Sequence, residues 1–223
     1  MKIYQHQLPE DLSCTNSLGK IVCVGRNYAD HAKELNNPIP KQPLLFIKPA
    51  TAAVSMHESI GIPQNLGACH HELEMAILIN KPLTKASAEQ VEKAIAGIAL
   101  GLDLTLRDVQ NTLKEKSQPW ERAKAFDGSC PLSAFVKTEG VDLQGLDIHL
   151  AINGELRQSG NTRDMLFSVL VLLQEISHSF TLLPGDVVLT GTPAGVGPLE
   201  VGDGLVAKLG GLITVETNVT DRH

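Results

Sequence analysis

The stretch Cys69-His70-His71-Glu72-Leu73-Glu74-Met75 sets two histidines and two carboxylates ahead of an apolar run. On a helix Glu72 and Glu74 would lie about 200° apart and could share no ligand. On a strand Glu72, Glu74, Ala76 and Leu78 face one side, and Leu73, Met75, Ile77 and Ile79 form a core stripe on the other. Like charges side by side on a strand need solvent or a cation between them. The pair therefore reads either as a solvated strand face or as part of a metal site. Asp103 is the third carboxylate to weigh, because it is the one charge in the apolar stretch between Lys93 and Arg107. A bare buried charge is costly, so Asp103 is a strand-end cap, an ion pair with Arg107, or a partner of the two glutamates. Three oxygen donors with three negative charges suit a hard cation, Mg2+ or Mn2+. Zinc fits less well: the H-E-x-x-H pattern fails at Met75, and adjacent strand histidines point to opposite faces. That leaves His71 a supporting role and puts His70 on the surface. A second pair, His31 and Glu34, is three residues apart and shares a face if helical. It reads either as a solvated helix face or as a carboxylate-oriented general base.

These residues need elements to position them. Residues 20–25 and 43–49 read as short strands, and residues 27–38 as a short helical stretch ended by Asn36, Asn37 and Pro38. Ser87-Ala-Glu-Gln90 has capping-box spacing and predicts a helix through about Ala96. A strand over residues 98–105 should follow, with Thr105 capping a helix that begins near Leu106. Asn153-Gly154 between alternating runs predicts a type I′ hairpin. Residues 164–180 carry Met165, Leu166, Val169, Leu170, Leu173 and Ile176 at helical spacing. From Pro184 the chain reads as short strands punctuated by glycine. The mixture is α+β and β-rich with few helices, and it lacks regular βαβ alternation. One domain over residues 1–223 is expected, with residues 1–19 as a short lead-in.

The chain has 223 residues, 43% hydrophobic and 20% charged, with a net charge of −6. That describes an ordinary globular chain and argues against nucleic-acid or anionic-membrane partners. Cys14, Cys23, Cys69 and Cys130 form no C-x-x-C pair. With no apolar leader and no run near the ~20 residues that span a bilayer, a reduced, cytoplasmic protein is expected. The Gly-rich segment near Gly195 lacks the G-K-[ST] of a phosphate loop, and Glu200 stands where a dinucleotide fingerprint needs glycine. Turn glycines account for it.

Seven blocks, VGRNYADHAKEL, FIKP, HHELEMA, GLDLTLRDVQ, AKAFDGSCPLS, NGELRQSGNTRDM and PGDVVLTGTPAGVG, resemble in order those of the fumarylacetoacetate hydrolase family, from about residue 20 to 216. The chain is similar to the small single-domain members: acylpyruvate and fumarylpyruvate hydrolases and oxaloacetate decarboxylases or tautomerases. The resemblance implies a homodimer of mixed β-sandwich-roll domains with peripheral helices and a divalent metal, Mg2+ with Mn2+ as the alternative, bound by Glu72, Glu74 and Asp103. His31 and Glu34 would be a water-activating dyad on a lid. Lys124 and Gln110 would contact substrate oxygens and developing charge. Thr192 would bind the substrate carboxylate with Arg107 nearby, and Arg26 and Lys48 match family blocks as further substrate-side residues. Ala125 departs from the Ser or Gly of many relatives. Read from the residues alone, Lys124 could equally be an exposed lysine beside a strand, and Gln110 a solvent-facing helix residue.

The reaction implied first is hydrolysis of a carbon–carbon bond in 2,4-dioxo acids, because a 2-oxo acid chelating a divalent cation has its enolate stabilised. The same stabilisation would serve an oxaloacetate decarboxylase or keto–enol tautomerase. The rivals are an isomerase or hydratase of 2-hydroxydienoates and a non-enzymatic metal-binding dimer.

Overall fold

The computed structural model describes residues 3–10, 12, 16–34 and 38–222. Its strands are β1 (Lys20–Gly25), β2 (Leu44–Pro49), β3 (Ala53–Ser55), β4 (Ile60–Ile62), β5 (Cys69–His71), β6 (Leu73–Ile79), β7 (Ile95–Leu102), β8 (Thr105–Leu106), β9 (Cys130–Leu132), β10 (Asp147–Ile152), β11 (Glu155–Asn161), β12 (Val187–Leu189), β13 (Gly197–Pro198), β14 (Gly204–Leu209) and β15 (Ile213–Asp221). The helices are α1 (Ala29–Glu34), α2 (Ala88–Glu92), α3 (Arg107–Glu115), α4 (Glu121–Lys124) and α5 (Val169–Ser179). The strands form a seven-stranded sheet ordered β2-β1-β12-β6-β7-β9-β3, a five-stranded sheet ordered β11-β10-β14-β15-β4 and a three-stranded sheet ordered β13-β5-β8. Parallel pairs β1–β12, β3–β9 and β4–β15 lie among antiparallel ones, so the β-rich, mixed architecture is the one the sequence implied.

β6 shows what holds the site. It lies inside the large sheet between β12 and β7, and every residue of it is buried. Leu73, Met75, Ile77 and Ile79 enter a core shared with Leu172, Leu173 and Ile176 of α5 and with strands of the second sheet. Ala76 and Leu78 enter a second core with Ile21, Cys23, Val187 and Leu189. The alternation is as expected, but the glutamate face is not solvated: it continues into the second core. Glu74 is thus a carboxylate in a dry sheet interior, which requires compensating charge.

Local chemistry explains most boundaries. Ser87 Oγ accepts from Gln90 N–H and Gln90 Oε1 accepts from Ser87 N–H at 2.8 Å, a complete capping box. α2 nonetheless stops at Glu92, short of Ala96, because β7 begins at Ile95 to pair with Ile79. Asn153 (φ 52°) and Gly154 (φ 83°) take the two left-handed positions of a type I′ turn between β10 and β11. α5 begins at Val169, later than the periodicity suggests, because Asn27 Oδ1 accepts from Phe167 N–H and its amide donates to Phe167 O, holding that segment extended. Thr105 does not cap α3: its hydroxyl donates to Asp103 O, and α3 starts directly from β8. The expected end of the first helix at Asn36 and Asn37 lies outside the described residues, as does Cys14. No described helix is long and apolar enough to cross a membrane.

Candidate active site

The antiparallel register of β6 and β7 builds the acidic cluster. Leu73 faces Leu102 and Glu74 faces Gly101. One step further, Asp103 N–H donates to Glu72 O at 2.9 Å, so those two side chains leave the ladder opposite each other. Strand alternation adds Glu74 on the same face as Glu72. One carboxylate oxygen from each of Glu72, Glu74 and Asp103 lies within 4.8 Å of the others, and the three residues are 5%, 2% and 1% exposed.

Three buried cations surround them. Lys124 Nζ, at the end of α4, donates to Glu72 Oε2 at 2.9 Å and to Asp103 Oδ2 at 2.6 Å. Arg107, at the start of α3, donates to Glu72 Oε1 and, at 2.7 Å, to Gln110 Oε1. Lys48 Nζ is 2.9 Å from Asp103 Oδ1 and donates to Lys124 O and to Ser129 O and Oγ. Asp103 thus pairs with two lysines rather than with Arg107. Burial opposes charge on Glu72, but Lys124 and Arg107 overcome it and hold its carboxyl far below the usual range. Burial likewise opposes the Lys124 ammonium, and Asp103 and Glu72 reverse that and keep it protonated. Glu74 goes the other way: burial, then the charges of Asp103 and Glu72, raise its carboxyl well above the ordinary value, against a hydrogen bond from Gly191 N–H.

This donor set fits a hard divalent cation. The three donors are carboxylate oxygens, buried and within 4.8 Å of one another, and the raised affinity of Glu74 for a proton marks a place short of positive charge. Glu72, Glu74 and Asp103 would hold it. The histidines stand outside: His71 Nδ1 meets Gln158 Oε1 at 3.0 Å. His70 is half-buried rather than on the surface, with burial and then Arg107 pushing its pKa down to about 4.

His31, Arg26, Arg107, Gln110, Lys124 and Thr192 line one cleft with Glu72 and Glu74. His31 Nδ1 lies 3.2 Å from Glu34 Oε2, and Glu34 Oε1 accepts from Gly195 N–H at 3.0 Å, so α1 is tied to the loop after β12. Gln110 gives its carbonyl to Arg107, which leaves its amide N–H groups for the cleft. The Thr192 hydroxyl donates to Leu73 O and accepts from Gln158 Nε2, so its proton is committed to the fold in this state. Of the expected residues, Glu34, Asp103 and Lys48 are absent from the cleft wall, and Lys48 is fully buried behind Asp103 as its counter-ion, not a substrate contact.

Sequence reasoning missed Gln158, which links His71, Leu73 N–H and Thr192 in one buried network. Its place in the NGELRQSG block was the available signal. It also missed the aromatic wall of Phe46 and Trp120, the chain's one tryptophan.

Residues 20–220 match the family described as fumarylacetoacetate (FAA) hydrolase C-terminal. An oxaloacetate tautomerase of Escherichia coli is 48% identical over 211 residues, spanning 94% of this chain and 96% of that protein. A mitochondrial oxaloacetate tautomerase of Bos taurus is 44% identical over 200 residues, spanning 89% and 90%. The crystal structure of fumarylpyruvate hydrolase from Pseudomonas aeruginosa in complex with Mn2+ and pyruvate superposes with a TM-score of 0.89 at 34% identity, covering 97% of this chain and 96% of that one.

Proposed function

The chain belongs to the fumarylacetoacetate hydrolase family, and we propose that it interconverts the keto and enol forms of oxaloacetate with a divalent cation, Mg2+ or Mn2+, held by Glu72, Glu74 and Asp103. Sequence reasoning put carbon–carbon hydrolysis first. The names of the relatives at 48% and 44% identity support the enolisation arm instead.

The observation that carries this reading is the position of Lys124, a buried ammonium 2.9 Å from Glu72 and 2.6 Å from Asp103. When bound, the cation supplies Lewis acidity that makes the methylene hydrogens beside the 2-oxo group more acidic. Asp103 and Glu72 keep Lys124 protonated in the free protein, and its ammonium, beside the residues that would hold the cation, would meet the charge that develops on the 2-oxo oxygen. His31 presents Nδ1 to Glu34, which leaves Nε2 to take the methylene proton and give it back. Gly195 N–H holds Glu34, so the orientation of the imidazole depends on the loop. One proton leaves carbon and one reaches oxygen. No bond between carbons breaks and no water is consumed.

The test follows the ultraviolet absorbance of enol-oxaloacetate with purified protein and Mg2+ or Mn2+, beside acetylpyruvate and fumarylpyruvate as hydrolysis substrates. Faster relaxation between the two forms with total oxaloacetate conserved is expected. Cleavage of either acylpyruvate to pyruvate with the larger kcat/KM would overturn the assignment in favour of hydrolysis.

A further inference from the structure

Arg107, Gln110 and Lys114 recur at i, i+3 and i+7 along α3, one face of a helix, and all three line the cleft. Arg107 and Gln110 are engaged with Glu72 and with each other. Lys114 is not. Among the described residues its ammonium has neither an ion pair nor a hydrogen-bond partner, and it lies over the Trp120 ring at 5.4 Å from the centroid. It is half-buried, and burial, followed by the charges of Arg107, Arg26 and Lys124, pushes its pKa down to about 8. Holding an ammonium in a partly dry cleft beside three other cations costs free energy, which the more distant charge of Glu72 offsets only in part.

The charges in the cleft divide accordingly. Glu72 and Asp103 are paired in the interior with Lys48, Arg107 and Lys124, while Glu74 has no ion pair among the described residues. Arg26 and Lys114 are left over. Arg26 also has no ion pair or side-chain hydrogen bond among the described residues, and its backbone sits at φ 60°, an uncommon conformation for a residue with a side chain. Glu34 of α1 is committed to His31 and Gly195. An aromatic wall connects the two ends. Lys124 Nζ is 5.2 Å from the Phe46 ring centroid, Phe46 is 6.2 Å from Trp120, and Lys114 lies over Trp120. The cleft runs along that wall from Lys124 to Lys114.

We propose that Lys114, together with Arg26, receives the distal carboxylate of the substrate and makes the protein selective for 2-oxo dicarboxylates over 2-oxo monocarboxylates. This rests on the cleft being a 2-oxo acid site whose chelating end is at Glu72, Glu74 and Asp103. It adds the group that reads the other end. Lys114 acts as a specificity-determining residue and leaves the proton transfer to His31.

The test uses Lys114→Met, which keeps an unbranched stem on Trp120, and Lys114→Arg, which keeps the charge. Tautomerisation kinetics give KM and kcat for oxaloacetate, and competition gives the inhibition constant of pyruvate, a 2-oxo monocarboxylate. Removing one charge-assisted contact should raise KM for oxaloacetate on the order of tenfold or more. The pyruvate constant and kcat should change less than about twofold, and Lys114→Arg should restore most of the loss. An unchanged KM in Lys114→Met, or equal weakening of oxaloacetate and pyruvate, would overturn the proposal. Calorimetric binding of both acids to the Mn2+-loaded protein gives the same ratio without turnover. A wild-type protein that binds oxaloacetate but does not tautomerise it would therefore count against the reaction, while the binding ratio still decides Lys114.

Discussion

Replacing Glu74 by glutamine should stabilise the metal-free protein while weakening its hold on metal. Glu74 has a carboxylate oxygen within 4.8 Å of oxygens of both Glu72 and Asp103. At that separation and an effective dielectric constant of about 20, each pair of full charges repels by roughly 3.5 kcal/mol. Lys124 offsets part of this, so a net gain of about 1–3 kcal/mol is expected for the neutral variant. The Gly191 N–H bond survives, because a glutamine carbonyl accepts it as the carboxylate did. At about 2–4 °C per kcal/mol for a chain of this size, Tm in EDTA should rise by several degrees. The pH dependence has a definite sign. The folded pKa of Glu74 lies above its ordinary 4.5, so the stability its proton confers is present below that value and is lost as pH rises through the folded pKa. Glutamine has no such loss, and its advantage should widen as pH rises. With Mg2+ or Mn2+ at about a hundred times Kd the wild type gains about 2.7 kcal/mol, and the variant, short of one anionic ligand, gains less. Thermal denaturation followed by circular dichroism, with EDTA and with metal across this pH range, measures all of it. A glutamine variant less stable than wild type in EDTA at every pH would refute the reasoning.

Lys48→Met removes the fully buried counter-ion of Asp103 and should cost about 3–5 kcal/mol, read as a fall in denaturation midpoint; a loss below about 1 kcal/mol would contradict its role. His31→Gln should lower kcat for tautomerisation by about 10²–10⁴ and leave metal affinity unchanged in a calorimetric titration, since His31 is not among the ligands. Gly195→Ala places a Cβ 2.0 Å from Arg157 O at φ +96°. It should displace the loop, free Glu34 and depress kcat, with little change in the far-ultraviolet spectrum; wild-type kcat would show that the Gly195–Glu34 bond does not orient His31.

What was legible in the chain was local. Alternation in residues 72–79 places Glu72 and Glu74 together, since a strand allows nothing else. The Asn153-Gly154 turn and the Ser87 capping box need only neighbours in sequence. What was not legible was built by distant contacts. The dryness of the glutamate face depends on β12 and β7 flanking β6, and no residue within β6 reports that. Lys48 matches a family block, yet its work is to reach Asp103 and Ser129 across the sheet, an adjacency created only by the fold. The start of α5 is set by Asn27, 140 residues from its partner Phe167. Lys114 was within reach, because extending the Arg107–Gln110 face by one turn lands on it.

The central claim is that a divalent cation at Glu72, Glu74 and Asp103 works with Lys124 to stabilise an enolate. The measurement that tests it most directly is the rate of enol-oxaloacetate ketonisation in EDTA-treated protein titrated with Mn2+, for wild type and for Asp103→Asn. Activity should be absent in EDTA, rise to saturation with one ion per chain, and be lost or shifted to much higher Mn2+ in the variant. Full activity in EDTA, or an Asp103→Asn protein with the wild-type titration curve, would contradict it.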